Sequence, residues 1–201
     1  MTTIDVLLFD LGGVLVEFSG VQGLSALLRG RLSESEILER WSRCPYSEQF
    51  GLGKLSRLDF AVGFVQDWNI DISPEDFLVE FRSWSRRLLP GATELLASLR
   101  SRYRLAALSN SNELHWERNS HDLGVTDLFE VAISSHQIGK CKPDPEAYLI
   151  ALDRLGVSPE AVIFFDDVPA NVNAASALGI RAFQVDGVEG VQSRLLRERL
   201  L

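Results

Sequence analysis

Basic residues are in short supply: 20 Lys and Arg stand against 28 Asp and Glu, a formal charge of −8 over 201 residues. No block of Lys and Arg interrupts that acidic balance, so the chain offers nothing to a phosphate backbone and nucleic acid is not an expected partner. Cysteine is scarcer still. Cys44 and Cys141 are the only two, too few for a disulfide framework and not at zinc-ligand spacing, so both read as free thiols of a reducing compartment. The three histidines, His115, His121 and His136, follow no His-Glu-x-x-His pattern and read as surface or satisfied core residues rather than metal ligands. Long apolar runs are missing as well. Val6 to Phe9 and Ala161 to Phe165 fall far short of the roughly 18 to 20 residues a membrane helix needs, so no membrane partner is expected. The opening Met-Thr-Thr-Ile-Asp has no basic segment leading into an apolar one, which makes the cytoplasm the expected location.

What is present is ordinary for a folded protein: 46% hydrophobic residues, 24% charged, 15 Gly and 7 Pro, which excludes a disordered or collagen-like chain. At roughly 150 residues per domain, the length fits one core with an insertion better than two full domains.

Ile4 to Phe9 is a short β-branched and aromatic run that stops at Asp10 and a Gly-Gly pair, as a buried parallel strand ends in a loop. The same grammar recurs where Arg104 to Leu108 meets Ser109-Asn110, Phe129 to Ile133 meets Ser134-Ser135, and Ala161 to Phe165 meets Asp166-Asp167. Between them, Thr93 to Arg100, Asn112 to Leu123, Pro145 to Leu155 and Ala170 to Leu178 show apolar residues at helical spacing, several closed by a glycine. Such alternation predicts a parallel sheet with helices on both faces, and a site at the carboxyl ends of the strands. Residues 19–88 break the rhythm with helix signals and no convincing strand. The capping box Ser33-Glu34-Ser35-Glu36 and the Ser73-Pro74-Glu75 start mark two of these helices, while Trp41, Trp68 and Trp84 read as packing residues rather than ligand stackers.

Four loops carry chemistry. Asp10 precedes Gly12 and Gly13, which let backbone approach a ligand closely. Asp166-Asp167 puts two carboxylates at one sheet edge, an arrangement a hard divalent cation would stabilise. Lys142, in Lys140-Cys141-Lys142-Pro143-Asp144-Pro145, sits where a stiffened loop enters a helix, and Ser109 with Asn110 offers a hydroxyl and an amide to an oxyanion. Nucleophilic carboxylate, cation, ammonium and hydroxyl together describe phosphoryl transfer, in which positioning and charge stabilisation do most of the work.

From Val6 to about Gln184 the chain resembles the haloacid dehalogenase-like hydrolases. Phe9-Asp10-Leu11-Gly12-Gly13-Val14-Leu15 is similar to the family's first motif, Leu108-Ser109-Asn110 to its second, Gly139 through Lys142-Pro143-Asp144-Pro145-Glu146-Ala147-Tyr148 to its third, and Phe165-Asp166-Asp167 with Asn171 to its fourth. The resemblance implies an α/β fold with a Rossmann-like parallel-sheet core, residues 1–18 and 89–201, and an inserted α-helical cap, residues 19–88. Within the helical-cap subfamily, the segments around Ser109 and Asp166 resemble the bacterial α-D-glucose-1-phosphate phosphatase group. By this resemblance Asp10 forms an aspartyl-phosphate; Asp10, Asp167 and the Gly12 carbonyl hold Mg²⁺, with Asp166 reaching it through water. Ser109 holds a phosphoryl oxygen, Lys142 neutralises charge, Asn110 and Asn171 orient their neighbours, and Gly12, Gly13, Ser109 and Asn110 line the substrate.

One departure stands out. Most phosphatases of the family carry, where this chain has Gly12, a second Asp that protonates the leaving group. General acid–base help is worth roughly 10²- to 10⁴-fold, so its loss favours substrates with an acidic leaving group, such as anomeric, aryl or acyl phosphates. The expected activity is Mg²⁺-dependent hydrolysis of a small phosphorylated metabolite by a monomer or homodimer. Two alternatives stay open: a 2-haloacid dehalogenase using the same Asp without metal, and a non-catalytic binding or regulatory member of the fold. Tyr46, Glu48, Gln49 and Lys54 are candidates for substrate contact in the insertion.

Overall fold

In the computed structural model, which describes residues 3–201, the chain runs from β1 (Val6–Phe9) to β2 (Val16–Phe18) and then through five helices. These are α1 (Gly20–Leu27), α2 (Glu34–Ser42), α3 (Pro45–Gly51), α4 (Arg57–Trp68) and α5 (Pro74–Ser83). It returns through β3 (Ser85–Leu88), α6 (Ala92–Leu99), β4 (Arg104–Ser109), α7 (Glu113–Glu117), β5 (Val131–Ser134), α8 (Ser135–Ile138) and α9 (Pro145–Leu155). The last elements are β6 (Val162–Asp166), α10 (Pro169–Ala177), β7 (Arg181–Gln184) and α11 (Gly187–Arg197).

Five strands form a parallel sheet in the order β5-β4-β1-β6-β7. The chain builds outward from β1 to one side and then crosses to the other, so β1 is the switch point, beside which open sheets of this kind bind ligands. Period-two alternation sorts the side chains. Leu7 and Phe9 face the layer of α6 and α11, while Val6 and Leu8 face α9 and α10, and every residue of β1 is fully buried. Register then fixes the site: Phe9 pairs with Ala107 on one side and Phe165 on the other. Asp10 therefore emerges level with Asp166 and next to the end of β4.

Helices α1 to α5 have their own apolar cluster. The Phe50 and Phe60 rings stack at 4.2 Å, and Phe60 meets Phe81 at 4.9 Å; each buried ring contributes roughly 1.5–3 kcal/mol. Trp68 and Trp84 are buried here as packing residues, and Trp41 packs on Phe81 and Trp84. Ser33 makes the expected capping box with Glu36, and Ser73 caps α5 ahead of Pro74.

The structure corrects the sequence reading in several places. The segment expected to lack strands ends in β3, which pairs antiparallel with β2; both connections to the helical layer thus run through one two-stranded ribbon. The helix expected from Asn112 to Leu123 is α-helical only to Glu117, and a π-helical turn follows over Arg118–Asp122. β5 starts at Val131 rather than Phe129. β7 and α11 had no counterpart in the sequence reading. No helix among the described residues is long and apolar enough to cross a membrane.

Candidate functional site

The turn after β1 is built on Leu11, whose carbonyl accepts from the N–H groups of Val14, Leu15 and Val16, while Gly13 N–H donates to Val16 at 3.0 Å. Gly13 has φ of +74°, and a Cβ there would lie 2.6 Å from Asp167 Oδ2. Only glycine permits both the left-handed turn and that carboxylate. Gly12 is different. Its φ lies outside the left-handed region, and a Cβ would meet only the Phe18 Cβ at 4.0 Å, an ordinary contact. Its N–H and carbonyl engage no described residue in hydrogen bonding, so both remain available to a ligand.

Asp10 N–H donates to the Phe165 carbonyl at 2.8 Å, and its carboxylate accepts from Lys142 Nζ at 2.8 Å. The same ammonium donates to Asp166 Oδ2 and to the Leu108 carbonyl, each at 2.7 Å. The Lys142 side chain is 1% exposed and that of Asp166 0%. Burial works against the Lys142 charge, but Asp10 and Asp166 outweigh it and hold the ammonium above its ordinary pKa. Burial likewise pushes the Asp10 carboxyl up, with Lys142 pulling against it.

Asp166 is fully engaged. Besides Lys142 it accepts from Val168 N–H at 2.8 Å and from Asn171 Nδ2 at 3.0 and 3.1 Å. The charge conflict read from Asp166-Asp167 is thus resolved for Asp166 by the chain's own Lys142. Asp167 is the carboxylate left without a cation, and burial, then Asp10 and Asp166, raise its pKa to about 6. Asp10, Asp166 and Asp167 offer oxygens within 4.8 Å of one another. With the free Gly12 carbonyl beside them, this all-oxygen set fits a hard cation such as Mg²⁺.

Asn110 departs from expectation in part. Its side chain exchanges two hydrogen bonds with the backbone of Lys142, at 2.7 and 2.8 Å, and so orients that loop; only its backbone N–H is left for a ligand. Ser109 is buried at the end of β4 and its hydroxyl bonds to no described residue.

Above these residues lies a cavity of about 550 Å³ between the sheet ends and the helical layer, lined by Asp10, Gly12, Gly13, Ser109, Asn110, Lys142 and Asp167 below and by residues of α2, α3 and α5 above. A depression of similar size near Ile4, Tyr103 and Arg181 lies at the opposite end of the strands and has no acidic cluster. Of the four insertion candidates, only Glu48 lines the cavity; Tyr46 packs against Gly63 instead. Among the polar wall residues that escaped the sequence reading are Asn112, His115 and Asn119. Their spacing of three and four is one helical face, and polar residues repeated on a face otherwise apolar were the available signal.

Comparison with known proteins agrees with this geometry. A phosphorylated carbohydrates phosphatase of Thermotoga maritima is 36% identical over 92 residues, 45% of this chain and 43% of its own. A D-ribitol-5-phosphate phosphatase of Bacteroides thetaiotaomicron is 23% identical over 185 residues, 89% of this chain and 90% of that one. A HAD family enzyme of the same organism, solved with magnesium and inorganic phosphate, superposes with a TM-score of 0.78 at 25% identity, covering 91% of this chain and 94% of that one. The chain spans less than half the length of several curated relatives, 18% and 43% of two of them. The model of the haloacid dehalogenase-like hydrolase family matches residues 4–179, a span holding all five strands of the parallel sheet except β7 and every charged group of the site; the chain belongs to that family.

Proposed function

We propose that the protein is a Mg²⁺-dependent phosphatase that hydrolyses a small phosphorylated metabolite, with an anomeric sugar phosphate as in the α-D-glucose-1-phosphate phosphatase group as the leading substrate. Residues 1–18 and 89–201 act as the hydrolase core and residues 19–88 as a cap over it, joined through the β2–β3 ribbon. The observation that carries the reading is the triad Asp10–Lys142–Asp166 beside an Asp167 carboxylate with no cation of its own. The phosphatase names of the relatives, and the magnesium and phosphate in the Bacteroides structure, point the same way.

In this mechanism one Asp10 oxygen, its partner held by Lys142, attacks phosphorus, and the bond to the leaving oxygen breaks to give an aspartyl-phosphate that water then hydrolyses. Ser109 and the free N–H groups of Gly12 and Asn110 donate to the phosphoryl oxygens. Lys142 balances the charge that builds up on Asp10 and the phosphate, and Asp166, gripped by Asn171 and Val168, keeps the ammonium in place. Asp10, Asp167 and the Gly12 carbonyl would hold Mg²⁺, with Asp166 reaching it through water; the ion supplies Lewis-acid stabilisation of phosphoryl charge.

A dehalogenase would gain nothing from an unpaired Asp167. The test is phosphate release from a panel of phosphorylated metabolites with and without Mg²⁺. Activity that depends on Mg²⁺, is lost with a chelator and falls to background in Asp10→Asn is expected; a folded Asp10→Asn protein at full rate would overturn the mechanism. Full phosphate release in excess chelator would overturn the Mg²⁺ dependence, metal-free release of halide from a 2-haloacid would favour the dehalogenase alternative, and no turnover of any substrate the non-catalytic alternative.

A further inference from the structure

The cavity above Asp10 has an uneven distribution of charge. Among the described residues Lys142 is the only Lys or Arg on its wall, and its ammonium is already shared among Asp10, Asp166 and the Leu108 carbonyl. The other basic group on the wall, His115, is occupied too. Its Nε2 lies 2.7 Å from the Phe81 carbonyl and so carries the proton, while Nδ1 accepts from Asn112 Nδ2 at 2.9 Å. Burial, aided by Arg118 and Arg82 and opposed by the Phe81 bond, pushes the ring down to about 4, so it is neutral at working pH. The carboxylate that the helical layer contributes to the wall, Glu48, is acidic. A second anionic group on a ligand would therefore lose its water here and gain no counter-ion.

Neutral hydrogen-bonding groups stand in that place instead. Asn119 is 4% exposed and sits on the π-helical turn Arg118–Asp122, a distortion frequent at functional sites. One end of its amide takes the Ser85 hydroxyl at 2.5 Å, and the other bonds to no described residue. Turning the amide over exchanges the two ends and still leaves one facing the cavity. The free end lies on the cavity wall, where a ligand hydroxyl can take the place of water without leaving a polar atom unpaired. On the same wall Asn112 keeps one N–H beyond the bond to His115, and Phe18 and Trp41 offer apolar faces.

Resting on the phosphatase reading above, we infer that the cavity takes the monophosphate of an uncharged, hydroxyl-bearing alcohol, with the Asn119 amide binding a leaving-group hydroxyl, and excludes phosphates whose leaving group carries a second anion. The test compares kcat/KM, in Mg²⁺, for a pentitol phosphate, a sugar bisphosphate, phosphoglycolate and phenyl phosphate, in the wild-type protein and in Asn119→Leu. The pentitol phosphate should exceed the bisphosphate and phosphoglycolate at least tenfold. Asn119→Leu should lower the ratio of pentitol phosphate to phenyl phosphate at least tenfold. Equal or better turnover of the doubly anionic substrates overturns the inference alone, as does a ratio that Asn119→Leu leaves unchanged because both rates fall together. If Asn119→Leu does not fold, Asn119→Ser is read by the same ratio. Hydrolysis by the wild-type protein of none of the four, nor of an aldose 1-phosphate, would overturn the phosphatase reading and this inference with it.

Discussion

Two adjacent glycines after Asp10 do different work, and substitution should separate them. Gly13 sits at φ +74° with Asp167 Oδ2 2.6 Å from where a Cβ would be. Gly13→Ala should cost roughly 1–2 kcal/mol of backbone strain and displace Asp167, so the Mg²⁺ concentration giving half-maximal activity should rise well beyond what the stability loss explains. A metal titration of activity beside a urea melt checks this. Gly12 is outside the left-handed region and a Cβ there is free of clashes. Gly12→Asp should therefore fold, and by adding a carboxyl near the leaving oxygen it should raise kcat/KM for simple alkyl phosphates far more than for aryl phosphates. An unchanged dependence on leaving-group acidity would mean that another group supplies the proton.

At this scale Asp10, Ser109 and Asp167 were legible because each follows a buried apolar run, and Lys142 because prolines stiffen its loop at the start of a helix. Their partners were not. That Lys142 neutralises Asp166, and that the Asn110 amide clamps the Lys142 backbone, depends on loops meeting across the sheet, which spacing along one chain does not encode.

Elements whose own sequence decides their state were the ones read well. β1 and β6 are buried on both faces and show as unbroken apolar runs; α9 has Asp144 and Pro145 at its start and Gly156 in the left-handed conformation at its end. β7, an edge strand reading Arg-Ala-Phe-Gln, and β3, reading Ser-Arg-Arg-Leu, have no such signature, since neighbours rather than burial make them strands. The π-helical turn over Arg118–Asp122 was hidden because Arg-Asn-Ser-His-Asp holds no apolar residue whose spacing could betray a change of helical period. In the helical layer two substitutions should differ in kind. Phe60→Ala removes a ring stacked on Phe50 in the centre of the aromatic cluster and should cost about 3–5 kcal/mol. Ser33→Ala removes an exposed capping box and should cost about 1 kcal/mol. Denaturant melts of the two variants would test the contrast, and comparable losses would show that the cluster relaxes around the missing ring.

For the molecule as a whole, acid stability combines groups of opposite sign. His115 is buried as the neutral ring with its pKa pushed down to about 4. Between the ordinary value of about 6.5 and that lowered one, the unfolded chain binds a proton that the folded chain refuses, so falling pH favours unfolding, by up to about 3 kcal/mol at the lower end. Asp167 works the other way. Its raised pKa of about 6 means that the folded chain takes up a proton first, so acid relieves a penalty present at higher pH, and Asp10, also raised by burial, acts in the same direction. Free of metal, the protein should therefore show a shallow dependence of stability on pH between about 6 and 4, because the two effects oppose each other. Replacing His115 removes one side of that balance. In His115→Gln, whatever its stability at neutral pH, stability should rise on going from pH 6 to pH 4.5 relative to the wild-type protein. Urea melts of both proteins at the two pH values, in excess chelator, measure the difference directly. An identical pH dependence in the two would mean that His115 takes up its proton in the folded state as readily as in the unfolded one.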